Sequence, residues 1–484
     1  MRINQLKKLK VSTNGRFLTD SDDIPFFWLG DTAWTIANNL KRAQVKKYFR
    51  NRTEKGFTII QIVALDPETN ENMQNAYGEI PISGKKPFQF NERYFEYLDE
   101  IIDLAGEMGL YIALLPAWGQ LLTGDNWAGQ HFDVLMNEEN SFEYAEWIGR
   151  RYRNRNHIVW VLGGDRHPIH LGIDYMQAWR NMAEGLALGV LGKRLYWNKP
   201  DESWKDILIT YHPTYSDDPP VFSSSHWFRD DCWIAFNMMQ SGHRDMVRNY
   251  DQVYYDYHIL PPKPIIDGEP NYEDMPCVTC DRIKLHSDWN VRKRAYWSLL
   301  AGAFGHTYGH SSIWCMIDEK RKTEILKYTW SEAMDRPGAL QMTFLKNLLL
   351  SRDFFNSVPD QTLVGYLDNY LDIRQQARRG VDGRFAIIYL TSGGSVDIYL
   401  EKLSGRHLVG WWFNPRDGKV YDQKGKSTNQ PFFETDEKSK RKFTSPDHGY
   451  AKDWVLVIDD DAFGFPIPGA KYSVPFVKTR NQRI

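Results

Sequence analysis

Two acidic residues in this chain stand where a carboxylate could do chemistry. Asp165 closes the stretch 158–168, Ile-Val-Trp-Val-Leu-Gly-Gly-Asp-Arg-His-Pro, and Glu269 closes 264–270, Pro-Ile-Ile-Asp-Gly-Glu-Pro. Each follows an apolar, β-branched run of the kind that forms a strand buried on both faces. Gly163 and Gly164 let the chain turn sharply there and leave room for a ligand near the backbone. An acid on so short a tether arrives at the carboxyl end of a buried strand, where parallel α/β proteins place their reactive groups. The plainer reading of Asp165, a helix cap or a partner for Arg166, requires neither the Gly-Gly before it nor the Arg-His-Pro after it. Two such carboxyl groups facing one bond suit glycosidic cleavage. One must be protonated for the leaving oxygen and the other ionised for the anomeric carbon, so their environments must differ. Asp267 is a rival nucleophile, two residues before Glu269 and on the same side if the strand continues.

The elements that position these acids repeat. Apolar runs at 26–29, 57–65, 110–115, 158–162, 207–211, 235–239, 264–269 and 303–310 alternate with stretches of helical periodicity, such as Tyr94, Leu98, Ile101, Ile102, Ala105 and Met108. Eight strand–helix repeats predict a (β/α)₈ TIM barrel over 1–354 with a short N-terminal strap. A doubly wound sheet is the alternative, disfavoured because no Gly-rich phosphate loop follows the first strand. In a barrel the fourth and seventh strands lie across the mouth from each other. The remaining strand ends offer Asp31, Trp34, Gln61, Trp118, His131, Tyr211, His212, Asn237, Gln240 and His306 as candidates for binding sugar hydroxyls and ring faces. After Arg352 helical periodicity disappears. Short runs at 385–390, 396–400, 408–413 and 454–458, with a hairpin turn at 416–419, predict an antiparallel β-sandwich over 355–484. The charged run 436–442 reads as a solvated loop.

Composition limits the partners. The chain has 484 residues and a net charge of −2, so it offers no basic field for nucleic acid. Its 18 Trp and 26 Tyr suit stacking on sugar faces, though large cores also consume aromatics. Four cysteines are too few for a disulfide scaffold, and Cys277-Val-Thr-Cys280 reads as incidental, with a local disulfide or a metal site as the lesser alternatives. The basic start lacks an apolar h-region and no long apolar run occurs, so a cytoplasmic protein with no membrane span is expected, or an exported one if a leader has been trimmed from the sequence. There is no His-Glu-x-x-His and no Gly-x-Ser-x-Gly, so neither a metal cofactor nor a serine nucleophile is expected. The expected partner is an oligosaccharide or polysaccharide. Nothing in the sequence speaks to oligomeric state.

Several of these stretches together resemble a known family. Gly-Arg-Phe-Leu (15–18), Pro-Phe-Phe-Trp-Leu-Gly-Asp-Thr-Ala-Trp (25–34), Lys-Gly-Phe-Thr-Ile-Ile-Gln (55–61), Val-Trp-Val-Leu-Gly-Gly-Asp (159–165) and Asp-Gly-Glu-Pro (267–270) resemble the apiosidase-like glycoside hydrolases, family 140. The resemblance spans roughly residues 10–350. Trp-Trp-Phe-Asn-Pro-Arg-Asp-Gly (411–418) and Asp-Trp-Val-Leu-Val-Ile (453–458) are similar to the sandwich domain that usually follows, once labelled collagen-binding. The resemblance implies a TIM barrel with a β-sandwich, and a retaining hydrolase without cofactor. It implies Asp165 as acid/base, Glu269 as nucleophile, and a substrate among pectin-derived oligosaccharides carrying apiose. A carbohydrate-binding protein with a degenerate barrel is the competing class, and the presence of both acids argues against it.

Overall fold

The structure is a computed structural model. It describes residues 6–84, 87–126, 129–217, 220–245, 247–280, 284–365 and 373–470. The chain divides into two compact units: one takes most of the residues up to Leu340, the other most of those from Gln341 onward.

The first unit opens with the expected strap, an antiparallel pair of Leu9–Val11 and Leu18–Asp20. Eight parallel strands follow: β1 (Trp28–Thr32), β2 (Ile59–Val63), β3 (Tyr111–Leu115), β4 (Ile158–Gly163), β5 (Ile209–His212), β6 (Asn237–Met239), β7 (Ile265–Asp267) and β8 (Gly305–Tyr308). Their order in the sheet is β5-β4-β3-β2-β1-β8-β7-β6. The two end strands, β5 and β6, meet through a one-residue parallel bridge, Ile209 to Ile234. Ala235 N–H donates to Ile209 O at 2.9 Å and Thr210 Oγ1 to Phe236 O at 2.6 Å, so the sheet curls into a nearly closed barrel.

Every strand is buried on both faces, and the two faces pack into different cores. Trp28, Ile59, Val63, Ala113, Leu115, Val159, Val161, Phe236, Met238 and Ile266 fill the barrel interior. Ile60, Ile62, Ile112, Leu114, Trp160, Leu162, Ile209 and Tyr211 face outward to the helices. These helices include α1 (Arg42–Glu54), α2 (Glu92–Glu107), α3 (Ser141–Tyr152), α4 (Met176–Leu191), α5 (Asn249–His258) and α6 (Asp288–Ala301). Helix α2 shows the logic. Asn91 Oδ1 caps it by accepting from Arg93 N–H, and Gly109 at φ +77° follows its end. Tyr94, Leu98, Ile101, Ile102 and Ala105 form its buried stripe, each large apolar side chain contributing about 1.5–3 kcal/mol.

The second unit is antiparallel β with its core between two layers. One layer includes Gln375–Gly380, Phe385–Leu390, Trp454–Asp460 and Leu408–Asn414 in that order; the other pairs Gly393–Tyr399 with Lys440–His448. Ile388, Leu408, Trp412, Leu456 and Ile458 pack against Val396, Ile398 and Phe443. Arg352 makes a two-pronged pair with buried Asp459, at 2.8 and 2.7 Å, and Trp411 Nε1 adds a third donor at 3.0 Å. The charged run 436–442 departs from expectation. From Lys440 it lies on a strand, with its charged side chains turned to solvent and Phe443 turned inward. Cys277 and Cys280, read from sequence as incidental, form a disulfide.

Candidate active site

The carboxyl ends of β4 to β7 assemble the site. Past Gly163, the chain takes three left-handed residues in a row: Gly163 (φ +87°), Gly164 (φ +102°) and Asp165 (φ +56°). The first two must be glycine. A Cβ on Gly163 would sit 2.3 Å from His212 O, and one on Gly164 would sit 2.8 Å from Trp118 Cε3. Asp165 tolerates the region at modest cost, as Asp does better than most residues. The turn is pinned by Gly164 N–H to His212 O at 3.0 Å and Gly119 N–H to Gly164 O at 3.1 Å.

Glu269 arrives from the other side of the mouth. Gln61, inside the barrel, donates Nε2–H to Gly268 O at 2.9 Å, and Gly242 N–H donates to Glu269 O at 2.9 Å. A histidine then meets each carboxylate oxygen: His212 Nε2 lies 3.2 Å from Oε2 and His243 Nε2 lies 3.3 Å from Oε1. The ring of His243 packs on Tyr272 at 4.5 Å, and the buried Tyr272 hydroxyl stands beside Glu269.

His212 joins the two acids. Its Nδ1 accepts the backbone N–H of Asp165 at 3.3 Å. The ring proton is therefore assigned to Nε2, on the side of Glu269. The Asp165 carboxylate has other partners. Gln240 Nε2–H donates to its Oδ1 at 2.8 Å, while Gln240 Oε1 accepts from Tyr215 N–H at 2.8 Å. Arg166 donates to the Asp165 carbonyl at 2.6 Å, with its guanidinium 4.0 Å from the carboxylate. Trp34 and Trp118 complete the wall, their rings 5.3 Å apart and 5.5 and 6.4 Å from His212.

This arrangement pushes the two acids apart. Burial raises Asp165, the charge of Glu269 raises it further, and Arg166 and Gln240 only partly offset them. Burial would raise Glu269 as well, but the ring nitrogens of His212 and His243, one against each carboxylate oxygen, outweigh it and hold the carboxyl well below the usual range. Asp165 is thus built to keep a proton and Glu269 to stay ionised, the division of labour that acid-assisted displacement requires.

The expected site residues divide by the face of the strand they occupy. Gln61, His212 and Gln240 point inward or over the mouth, and Trp34 and Trp118 line it. Four others are corrected. Asp31 lies inside β1 rather than at its end and faces outward; it is fully buried, pairs with Arg52 and accepts from Tyr48 Oη–H at 2.5 Å. Tyr211 faces the helices beside Trp179 and donates its hydroxyl to Arg166 O at 2.8 Å, holding the turn rather than a ligand. Asn237 takes the outward phase between inward Phe236 and Met238. His306 also faces outward, 3.5 Å from Ser298 Oγ, and burial pushes it down to about 3. Asp267, the rival nucleophile, also turns away. The strand ends at this residue, and its carboxylate accepts from Ser241 Oγ at 2.8 Å and Asn249 Nδ2 at 3.0 Å. His131 stands exposed on the loop after β3, bridged through its backbone to Asp125. The sequence reading missed His243 and Tyr272. Both lie in loops just past strand ends, where no periodicity marks them.

A nearly closed parallel barrel with two dissimilar carboxyl groups over its carboxyl-terminal mouth defines the glycoside hydrolases among its possible classes, and the comparisons agree. Residues 12–356 match the family described as Apiosidase-like, catalytic domain, and the chain belongs to that family. Residues 358–459 match the domain described as Putative collagen-binding domain of a collagenase. Among solved structures, a glycoside hydrolase family 5 protein from Bacteroides vulgatus ATCC 8482 is 30% identical, with a TM-score of 0.79 and coverage of 94% of this chain and 93% of that one. A second structure, titled glycoside hydrolase, is also 30% identical at TM-score 0.79, covering 94% and 97%. No curated protein matches. The protein is a glycoside hydrolase.

Proposed function

We propose that this enzyme is a retaining glycoside hydrolase acting on pectin-derived plant cell-wall oligosaccharides, of apiosidase type, with Asp165 as acid/base and Glu269 as nucleophile. The observation that carries the assignment of roles is the opposed setting of the two acids around His212. Glu269 has a histidine on each oxygen, whereas Asp165 is partly buried and feels the negative charge of Glu269. In the first step Glu269 attacks the anomeric carbon while the bond to the leaving oxygen breaks and Asp165 gives that oxygen its proton. In the second step Asp165 takes a proton from water, and the water oxygen attacks the anomeric carbon. The glycosyl–Glu269 ester breaks and the sugar leaves with its original configuration. The family match supports the substrate class, and the paired tryptophans Trp34 and Trp118 offer ring faces for a sugar.

The test is a panel of aryl glycosides, apiosides included, with the product anomer read by proton NMR before mutarotation. Retention is expected. Glu269→Gln should lower kcat by at least about 10³-fold while ligand binding persists. A first-formed product of inverted configuration, or a Glu269→Gln enzyme of near-normal kcat, would remove Glu269 from the nucleophile's role.

A further inference from the structure

Away from the carboxylate pair, a cavity of about 310 Å³ opens among the outer elements of the barrel. Three pieces wall it: the loop through Phe222 and Ser223, the short helix Ser225–Phe228 with Arg229 after it, and α5 through Gln252 and Tyr255. Beneath them lies Asp256, completely buried. Its carboxylate accepts from Ser223 Oγ at 2.5 Å, Ser225 Oγ at 2.6 Å and Gln252 Nε2 at 3.0 Å. Burial pushes Asp256 up to about 6 in spite of those three donors. The network fixes the serine and glutamine side chains that line the cavity.

The rim has the opposite character. The Arg229 side chain is 48% exposed, and its carboxylate neighbour Asp230, 3.5 Å away, is 91% exposed. A pair so wet holds the guanidinium only weakly. His226 is exposed on the same short helix, and Tyr255 presents a ring that is 57% exposed. A cation with a planar fork, an open aromatic face and fixed hydroxyl and amide groups together match one kind of ligand. That ligand has an apolar ring face, several hydroxyls and one carboxylate.

We propose that this cavity is an accessory site for a carboxylate-bearing sugar, held by Arg229 at its carboxylate and by Tyr255 at its ring face. The site connects to the reacting acids through the intervening loop. Phe222 O accepts from Gln240 N–H at 2.9 Å, and the Phe222 ring lies 5.0 Å from Tyr215, whose N–H donates to Gln240. The loop that walls this cavity therefore also supports the side chain bonded to Asp165. The inference holds whichever glycosidic bond the enzyme cuts.

Calorimetric titration of the full chain with trigalacturonate, in a Glu269→Gln background to suppress turnover, tests it. Arg229→Ala and Tyr255→Ala should each weaken binding at least tenfold, and so should full methyl esterification of the probe. Both side chains are about half exposed, so the variants should keep the parent's thermal midpoint, which is measured alongside. The proposal is overturned by the absence of binding, by equal affinity for acid and ester, or by binding that neither variant weakens. The last result would place the probe elsewhere on the protein.

Discussion

Replacing Gln240 by methionine should move the alkaline limb of the pH–rate profile upward. Gln240 Nε2–H donates to Asp165 Oδ1 at 2.8 Å and favours the ionised form of that acid. A hydrogen bond to a charged group is worth about 1.5–3 kcal/mol. At about 1.4 kcal/mol per pH unit, its loss should move the limb upward by at most about two pH units, less whatever the protonated acid also loses. The direction follows from which form loses support. The carboxylate form loses the stronger bond, because a protonated carboxyl accepts more weakly, so the proton is held to higher pH; in the proposed mechanism protonated Asp165 is the form that assists the leaving group. The ratio kcat/KM of an aryl glycoside, followed from pH 4 to 10, reads the free enzyme. Methionine nearly preserves the volume, but Tyr215 N–H loses its acceptor, so the folded fraction is checked by circular dichroism at each pH. Because Asp165 and Glu269 titrate as a coupled pair, the limb belongs to the pair, and its displacement is the quantity to compare. A limb that stays in place, or moves to lower pH, would refute the account of Gln240 and weaken the assignment of Asp165 as the acid.

Two further outcomes follow from the scaffold. Gly164→Ala places a Cβ 2.8 Å from the Trp118 ring at φ +102°, adding about 1–3 kcal/mol of backbone strain and shifting Asp165. It should cost about 10²-fold in kcat with a lowered melting temperature, and an unaltered kcat would show that the turn does not set the acid's position. Arg52→Met strands Asp31, since both members of that pair are fully buried. Urea unfolding should show a loss of about 3–5 kcal/mol. In the fraction that remains folded KM should hold; a raised KM with unchanged stability would return Asp31 to the substrate.

The barrel was legible because its strands are long apolar runs ended by glycine or proline, and the pairing of Asp165 with Glu269 followed from their places at two such ends. What could not be read was phase. A strand buried on both faces has no alternation of polar and apolar residues, so Tyr211 and His212 look equally suited to the mouth. In the structure His212 turns inward to Glu269 while Tyr211 turns outward to Trp179. The same ambiguity covered Asp31, Asn237 and His306. The early end of β7 decided Asp267: the strand stops there, before Glu269, and the period-two argument no longer applies. His243 was invisible for a different reason: its role depends on a loop folding back over β7, which no local pattern encodes. The β-sandwich was recoverable as a class, but the strand from Lys440 was hidden because its first three residues are charged and exposed whichever face they take.

The junction of β5 and β6 is laddered by a single bridge, as β7 and β8 are by a single residue pair, and the groups proposed for hydrolysis span it. His212, the last residue of β5, reaches across to Glu269 beyond β7, and Gln240, just past β6, reaches back to Asp165 beyond β4. Chemistry and closure therefore share their fastenings. If this edge breathes, the acids separate before any helix melts, and warming should then inactivate the enzyme ahead of global denaturation. A sugar bridging the two acids would act as a rivet, protecting the amides of β5 and β6 from exchange more than those anywhere else in the barrel.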